Sequence, residues 1–122
     1  MSKKIMVVDD SNAIRISLAF ALKGAGYEVV EAANGVDALN LMEEHAIGLF
    51  ISDVNMPEMD GITLLKKIKE NKCYSHTPVI MLTTENSGAM MSEGKEIGAK
   101  AWIIKPFQPD QLVDAVKKLF VM

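Results

Sequence analysis

The sequence predicts a single α/β domain, a doubly wound sheet of five parallel strands covered on both faces by five helices. Short apolar segments rich in valine and isoleucine alternate along the chain with longer segments whose apolar residues recur at helical spacing. The short segments are continuously apolar, as strands buried on both faces of a parallel sheet are. The length of 122 residues fits one domain, so we expect residues 1–122 to form it.

The first half of the chain contains three predicted strands and two predicted helices. Apolar runs with β-branched residues predict the strands, and glycines 24 and 26 mark the end of the first helix. An Asn-Gly turn precedes the second helix. The strands are expected at Lys4–Val8, Tyr27–Val30 and Gly48–Ser52, and the helices at Ser11–Ala25 and Val36–His45.

The second half repeats the alternation. A loop over Val54–Gly61 precedes an amphipathic helix, and a break at Lys105–Phe107 precedes the last helix, which a Pro-Asp pair begins. The helices are expected at Ile62–Asn71, Gly88–Ile97 and Asp110–Val121, and the strands at Pro78–Leu82 and Ala101–Ile104.

Composition excludes several classes of protein. The net charge of −3 gives no long-range attraction to nucleic acid or to an anionic membrane. No apolar run approaches the roughly 20 residues that span a bilayer, and the apolar segment near the N-terminus is too short for a signal peptide. The single cysteine, Cys73, fits a reducing compartment. We expect a monomeric cytoplasmic protein that binds neither nucleic acid nor membrane.

Polar residues follow four of the five predicted strands. Asp9 and Asp10 follow the first strand, and Asp53, Thr83 and Lys105 stand at the ends of the third, fourth and fifth. The carboxyl ends of parallel strands lie at one edge of the sheet, where open α/β proteins bind their ligands. The sequence therefore predicts one functional site at this edge.

The chemistry of these residues indicates phosphoryl transfer. Carboxylates about 4 Å apart repel by roughly 4 kcal/mol at an effective dielectric constant of 20, so a cation is expected among them. Lys105 supplies one positive charge, and the oxygen ligands of Asp10 and Asp53 favour Mg²⁺. Neither histidine nor the cysteine is expected at this edge, which disfavours zinc. An aspartate nucleophile would form an acyl phosphate.

The motifs together resemble the receiver domain of bacterial response regulators. They are Asp9-Asp10, the segment DVNMPEMDG at 53–61, Thr83-Thr84-Glu85 and Lys105-Pro106-Phe107. The likeness extends over essentially the whole chain and is greatest to the single-domain chemotaxis regulators. It implies a flavodoxin-like strand order of 2-1-3-4-5 and Mg²⁺-dependent phosphorylation by a sensor histidine kinase of the chemotaxis type.

The resemblance also implies metal ligands and a phosphorylation site. Asp53 would accept the phosphoryl group. Asp10 and Asp53 would bind Mg²⁺ directly, Asn55 would bind it through its backbone carbonyl, and Asp9 would bind it through a water molecule.

Further roles concern the phosphoryl group and its lifetime. Lys105 and Thr83 would each bind a phosphoryl oxygen, and Lys105–Pro106 would be a cis peptide, against about 5–6% of X-Pro bonds in general. Asn55 and Glu85 stand where the family sets the lifetime of the acyl phosphate.

Trp102 stands at the position of the family's aromatic switch, which turns inward when Thr83 moves toward the phosphoryl group. The family usually has tyrosine or phenylalanine there. Because an indole is larger, an inward ring could overpack the pocket at about 1–3 kcal/mol. We therefore expect phosphorylation to shift the ring only in part, with Trp102 more often outward than a tyrosine would be, and rearrangement of the Glu85–Met91 loop to carry part of the signal. A partner surface around Met91, Trp102 and Ile104 would report the switch, although Ala115 stands where the chemotaxis proteins carry a lysine.

Three functions fit these residues. The first is a stand-alone signalling module, not an enzyme in the ordinary sense, whose phosphorylated form binds a partner such as the flagellar switch. The second is a phosphorelay intermediate that passes its phosphoryl group to another histidine protein. The third, a small-substrate aspartyl-phosphate phosphatase, is disfavoured because such enzymes have two acids two residues apart on one strand.

Overall fold

A computed structural model describes residues 3–56, 59–84 and 88–120. The predicted alternation of strands and helices is confirmed, with bounds that differ by one or two residues. The strands are β1 (Lys4–Val8), β2 (Glu28–Ala32), β3 (Leu49–Asp53), β4 (Val79–Thr83) and β5 (Ala101–Ile104). The helices are α1 (Asn12–Gly24), α2 (Gly35–Glu44), α3 (Gly61–Glu70), α4 (Gly88–Ile97) and α5 (Pro109–Phe120).

The five strands form one parallel sheet in the order β2-β1-β3-β4-β5. This order is the one that the family resemblance implied. The chain moves outward in one direction from β1 to β2 and in the other from β3 to β5, so the order reverses between β1 and β3. A crevice opens at such a switch point, beyond the carboxyl ends of the strands.

Two apolar cores lie on opposite faces of the sheet. Side chains of a strand alternate between the faces, so neighbouring positions of β1 and β4 serve different cores. One core lies under α2, α3 and α4 and includes Met6, Val8, Phe50, Met81, Met42, Leu64, Leu65 and Ile68. The other lies under α1 and α5 and includes Ile5, Val7, Ile51, Ile80, Leu18, Leu22, Leu112 and Val116. The doubly wound class is therefore confirmed.

One local feature agrees with the sequence-based expectations, and a second fixes the start of α1. The Lys105–Pro106 peptide bond is cis. Ser11 caps the first helix, since its side chain accepts a hydrogen bond from the Ile14 N–H. Within the described ranges, no helix has both the length and the apolar character that crossing a membrane requires.

Candidate functional site

The carboxyl edge of the sheet brings three carboxylates together. Asp9, Asp10 and Asp53 each offer an oxygen, and these oxygens lie within 4.8 Å of one another. Asp9 and Asp53 are buried, with 1% and 6% of their surface exposed, whereas Asp10 is exposed. Two of the three charges are thus removed from water, and the third faces solvent.

Lys105, the residue that follows β5, forms ion pairs with both buried carboxylates. Its Nζ lies 3.2 Å from Asp9 Oδ2 and 3.2 Å from Asp53 Oδ1. The lysine side chain is itself only 12% exposed, so these ion pairs are poorly screened by water. Three carboxylates and one ammonium leave a formal charge of −2 at this edge.

The pKa of Asp53 is raised above its ordinary value, chiefly because burial disfavours the charged carboxylate. The neighbouring charge of Asp9 raises the pKa further. The Lys105 ammonium and a hydrogen bond from the Asn55 backbone N–H oppose that change. The protein therefore compensates the negative charge of the Asp53 carboxylate only in part. A second cation beside it would stabilise the charged form further.

The donor set fits Mg²⁺. Octahedral coordination at 2.0–2.1 Å puts ligand oxygens roughly 3 to 4 Å apart, so the carboxylates need to move little to reach one ion. All the grouped donors are carboxylate oxygens, which Mg²⁺ prefers. The exposed Asp10 leaves one side open for the water ligands that Mg²⁺ retains. The three acids and the adjacent Asn55 are the residues that would hold the ion.

Gly61 holds the segment after β3 close to Asp53. Its N–H donates to the Val54 carbonyl at 2.8 Å, and the Val54 N–H donates to the Leu82 carbonyl at 2.9 Å. A Cβ at Gly61 would lie 2.3 Å from the Asp53 carbonyl oxygen and 2.7 Å from Val54 Cα, both of them backbone atoms. Only glycine permits this approach of α3 to the end of β3. Sequence reasoning missed this role, for which the Asp-Gly pair before the helix was the available signal.

Contacts on the opposite side of the site fix Asp9. The Asp9 carboxylate accepts a hydrogen bond of 2.9 Å from the Ser11 N–H, and the Asp9 carbonyl accepts one of 2.7 Å from the Arg15 guanidinium. Arg15 also pairs with Glu31 at 3.3 Å, which ties the start of α1 to β2. Sequence reasoning missed Arg15, because Asp9 and Glu31, the partners that tie it to the site and to β2, lie outside α1.

The remaining predicted site residues lie at the same edge of the sheet or outside the residues that the structure describes. Thr83 is fully buried at the end of β4, and Asn55 is exposed two residues beyond Asp53. Glu85 lies outside the described residues. The roles of these residues toward a phosphoryl group remain predictions.

Trp102 packs against α4, and the partial shift of its ring on phosphorylation stays a prediction. In the β4–β5 register Trp102 pairs with Met81, and both join the core under α2, α3 and α4. A Cβ at Gly94 would lie only 2.3 Å from Trp102 Cζ3, so the missing side chain of Gly94 makes room for the indole. The indole Nε1 is buried without a hydrogen-bond partner among the described residues.

The predicted partner surface combines side chains of different exposure. Ile104 is 37% exposed. Met91 and Trp102 are half-buried on α4 and β5. Since Trp102 and Ile104 alternate with Ile103 along β5, both lie on the α4 side of the sheet.

Comparisons with known proteins give consistent results. The model of the response regulator receiver domain matches residues 5–117. The chain is 40% identical over 119 residues to the transcriptional regulatory protein SrrA of Staphylococcus aureus, covering 98% of this chain and 48% of SrrA. The chain thus spans about half the length of the curated relatives it matches.

Solved structures extend the likeness to the fold. The chemotaxis protein CheY4 of Vibrio cholerae superposes with a TM-score of 0.93 at 40% identity, covering 98% of this chain and 99% of that chain. A putative response regulator from Chloroflexus aurantiacus superposes with a TM-score of 0.92 at 34% identity, with full coverage of both chains. The beryllofluoride-activated receiver domain of DrrB gives a TM-score of 0.89 at 33% identity, again with full coverage.

Proposed function

Because the chain belongs to the family of response regulator receiver domains, we propose that it accepts a phosphoryl group on Asp53 from a phosphohistidine of a sensor histidine kinase. The observation that carries this assignment is the contact of 3.2 Å between Lys105 Nζ and Asp53 Oδ1 inside a cluster of three acids. Burial raises the pKa of Asp53. A buried carboxylate beside an ammonium is a nucleophile with a phosphoryl-binding group already next to it.

The transfer needs one bond to form and one to break. An Asp53 carboxylate oxygen attacks the phosphorus, and the P–N bond of the donor imidazole breaks. The electron pair of that bond returns to the imidazole nitrogen, which takes up a proton. The product on this chain is an acyl phosphate.

Residues at the carboxyl ends of the strands would contact or neutralise the negatively charged phosphoryl oxygens. Lys105 Nζ would exchange its contact with Asp53 Oδ1 for a phosphoryl oxygen, and the Thr83 hydroxyl would donate to another. Asp10 and Asp53 would hold Mg²⁺ directly, with the Asn55 carbonyl as a further ligand and Asp9 through water. When bound, the ion would neutralise the negative charge of the phosphoryl oxygens.

The lifetime of the acyl phosphate would depend on two residues, each two positions beyond Asp53 or Thr83 in the sequence. We assign this role to the exposed Asn55 and to Glu85, following the likeness to the family. Their side chains would control the access of the water molecule that hydrolyses the acyl phosphate.

Phosphorylation would reach a partner through Thr83 and Trp102. Thr83 and Trp102 lie on the α4 side of neighbouring strands, so a shift of the threonine toward the phosphoryl group opens space beside the ring. The surface of Met91, Trp102 and Ile104 would then bind the output protein. Phosphorylation acts here by shifting the population between two packings of α4 against β5.

The likeness to CheY4 supports a stand-alone chemotaxis regulator whose partner is the flagellar switch. The likeness to SrrA, a transcriptional regulatory protein, favours control of transcription as a second candidate output. We further propose a monomer in the cytoplasm, a reducing compartment that suits the exposed thiol of Cys73. Binding of the purified flagellar switch protein in the presence and absence of beryllofluoride discriminates the two outputs, since only the chemotaxis regulator gains affinity.

Phosphorylation itself is tested with acetyl phosphate and Mg²⁺. Intact-mass spectrometry should show one added phosphoryl group on the wild type and none on Asp53→Asn. Asp114→Asn is the matched control, because Asp114 is an exposed aspartate on α5, and it should be modified like the wild type. Modification of Asp53→Asn at the wild-type rate would contradict the assignment.

A further inference from the structure

A small basic pocket lies at the edge of the sheet opposite the proposed phosphorylation site, between the C-terminal ends of α3 and α4. Lys100 immediately precedes β5, and its N–H donates to the carbonyl of Val79 at the start of β4 at 2.9 Å, so the pocket lies at the amino ends of these strands. Its volume is about 330 Å³, near the lower end of the range of small-molecule sites. Among the described residues it is lined by Lys69, Ser75, His76, Ile97, Gly98 and Lys100.

The ammonium of Lys69 is fixed at this pocket. Its Nζ donates to the carbonyl of Thr77 at 2.5 Å and to the carbonyl of Ser75 at 3.4 Å. The stem of the side chain packs against Gly98, where an added Cβ would lie 3.3 Å from Lys69 Cε. An ammonium has three N–H donors, and two of them have these backbone partners among the described residues. Lys69 is therefore a half-buried, positioned cation with one donor left for a ligand.

The positive charge of the pocket is not balanced by an acid. Neither Lys69 nor Lys100 forms an ion pair with a carboxylate in the part of the chain that the structure describes. Burial lowers the pKa of Lys69 below its ordinary value, and the neighbouring charge of Lys100 lowers it further. Two cations that repel each other at a partly buried position gain from an anion placed between them. The pocket is thus the electrostatic opposite of the acidic edge, where three carboxylates gain from a cation.

We propose that this pocket binds a compact oxyanion with two negative charges, either inorganic phosphate or the phosphate group of a small monoester. The ammonium groups of Lys69 and Lys100 would each bind one oxygen. The hydroxyl of Ser75 and the imidazole of His76 supply further hydrogen bonds, and the side chain of Ile97 offers an apolar wall for a short organic group. This inference is independent of the proposed function, because the pocket and Asp53 lie at opposite edges of the sheet.

The experiment titrates the isotope-labelled protein with inorganic phosphate, without Mg²⁺ and at constant ionic strength, and follows the amide resonances by NMR. The resonances of His76, Gly98 and Lys100 should shift together and reach saturation. β-Glycerophosphate is the second probe. Saturable shifts with either probe support the proposal, and the probe that binds more tightly identifies the ligand as inorganic phosphate or as a monoester. Absence of saturable shifts at these residues with both probes would overturn it.

Variants of the two lysines test whether they hold the anion. Lys100→Met removes an exposed cation and should weaken phosphate binding about tenfold, the order expected of one charge-assisted hydrogen bond. Lys69→Met should weaken binding at least as much, and Lys100→Met keeps the test decisive if the loss of the backbone contacts of Lys69 prevents folding. Lys23→Met makes the same change at an exposed position of α1, on the other face of the sheet, and should keep the wild-type affinity. Equal affinity of the wild type and Lys100→Met would overturn the proposal.

Discussion

The carboxyl edge of the sheet and the contact between α4 and β5 are held by different forces. At the edge, Lys105 pairs with Asp9 and Asp53 at 3.2 Å, and charge fixes the side chains. Between α4 and β5, Trp102 lies over Gly94, and its indole N–H is buried without a partner among the described residues. The ion pairs depend on the charges of the side chains, and the contact of Trp102 with Gly94 depends on their shapes. A substitution that removes a charge should therefore destabilise the carboxyl edge of the sheet. A substitution that changes side-chain volume should instead alter the packing of α4 against β5.

The largest effect is expected from Lys105→Met, which keeps a similar length and removes the ammonium. It leaves two buried carboxylates without their shared cation, so the free energy of unfolding should fall by about 3 kcal/mol in the absence of Mg²⁺. Urea denaturation measures the loss. Added Mg²⁺ should recover part of it, because the ion can replace the missing charge.

Lys95→Met, at an exposed lysine of α4, is the control and should change stability by less than about 0.5 kcal/mol. Equal stability of the two variants without Mg²⁺ would mean that charge does not hold the edge together.

Gly61→Ala tests the one place at the edge where shape matters as much as charge. The new Cβ would meet the Asp53 carbonyl oxygen at 2.3 Å, and backbone cannot yield as a side chain can, so we expect a loss of about 2 kcal/mol and slower phosphorylation of Asp53. Thermal unfolding and acetyl phosphate kinetics measure the two effects. Gly24→Ala is the control, since nothing lies within 4 Å of its Cβ, and a similar loss there would remove the steric explanation.

Gly94→Ala should move the ring of Trp102 with little change in stability. The clash with Cζ3 drives the indole away from α4, while alanine improves helix propensity by about 1 kcal/mol. Because Trp102 is the only tryptophan, its emission should shift to longer wavelength, and acrylamide should quench it more strongly. Gly88→Ala, on the same helix with open space at its Cβ, should leave the spectrum as it is. An unshifted spectrum in Gly94→Ala would show that the ring does not rest on Gly94.

The smallest effect is expected from Asp53→Asn in the absence of Mg²⁺. Burial raises the pKa of Asp53 in the folded protein above the ordinary value of 3.8, so the charged carboxylate opposes folding. Asparagine removes that charge and should raise the Tm at neutral pH, by roughly 4 °C for each kcal/mol relieved.

The pH dependence follows from the sign of this shift. The wild type has its full stability from this group below pH 3.8 and loses it as the pH rises through the raised folded pKa. The advantage of Asp53→Asn should therefore appear above pH 3.8, grow until the pH exceeds the raised folded pKa, and vanish in acid. An advantage that grows toward low pH would contradict a raised pKa.

Much of the fold and part of the site could be predicted from the sequence. Continuous apolar runs predicted every strand and apolar residues at helical spacing predicted every helix, with bounds within two residues, because these patterns reflect which faces of each element are buried. The strand order came from the likeness to the family and is confirmed. The acids, Thr83 and Lys105 were expected at one edge because parallel strands end together, and Asp9, Asp10 and Asp53 do meet there.

The sequence by itself determined the element types, the polar residues at the strand ends and the family, since these follow from residue chemistry and spacing along the chain. Tertiary structure alone decided which partners meet. Lys105 and Asp9 are 96 residues apart in the chain, and the fit of Trp102 over Gly94 depends on how α4 sits on β5. The sequence shows the size of the indole, but a glycine on another element sets the volume open to it. Residue type limits which interactions are possible, and the packing of distant segments selects which of them form.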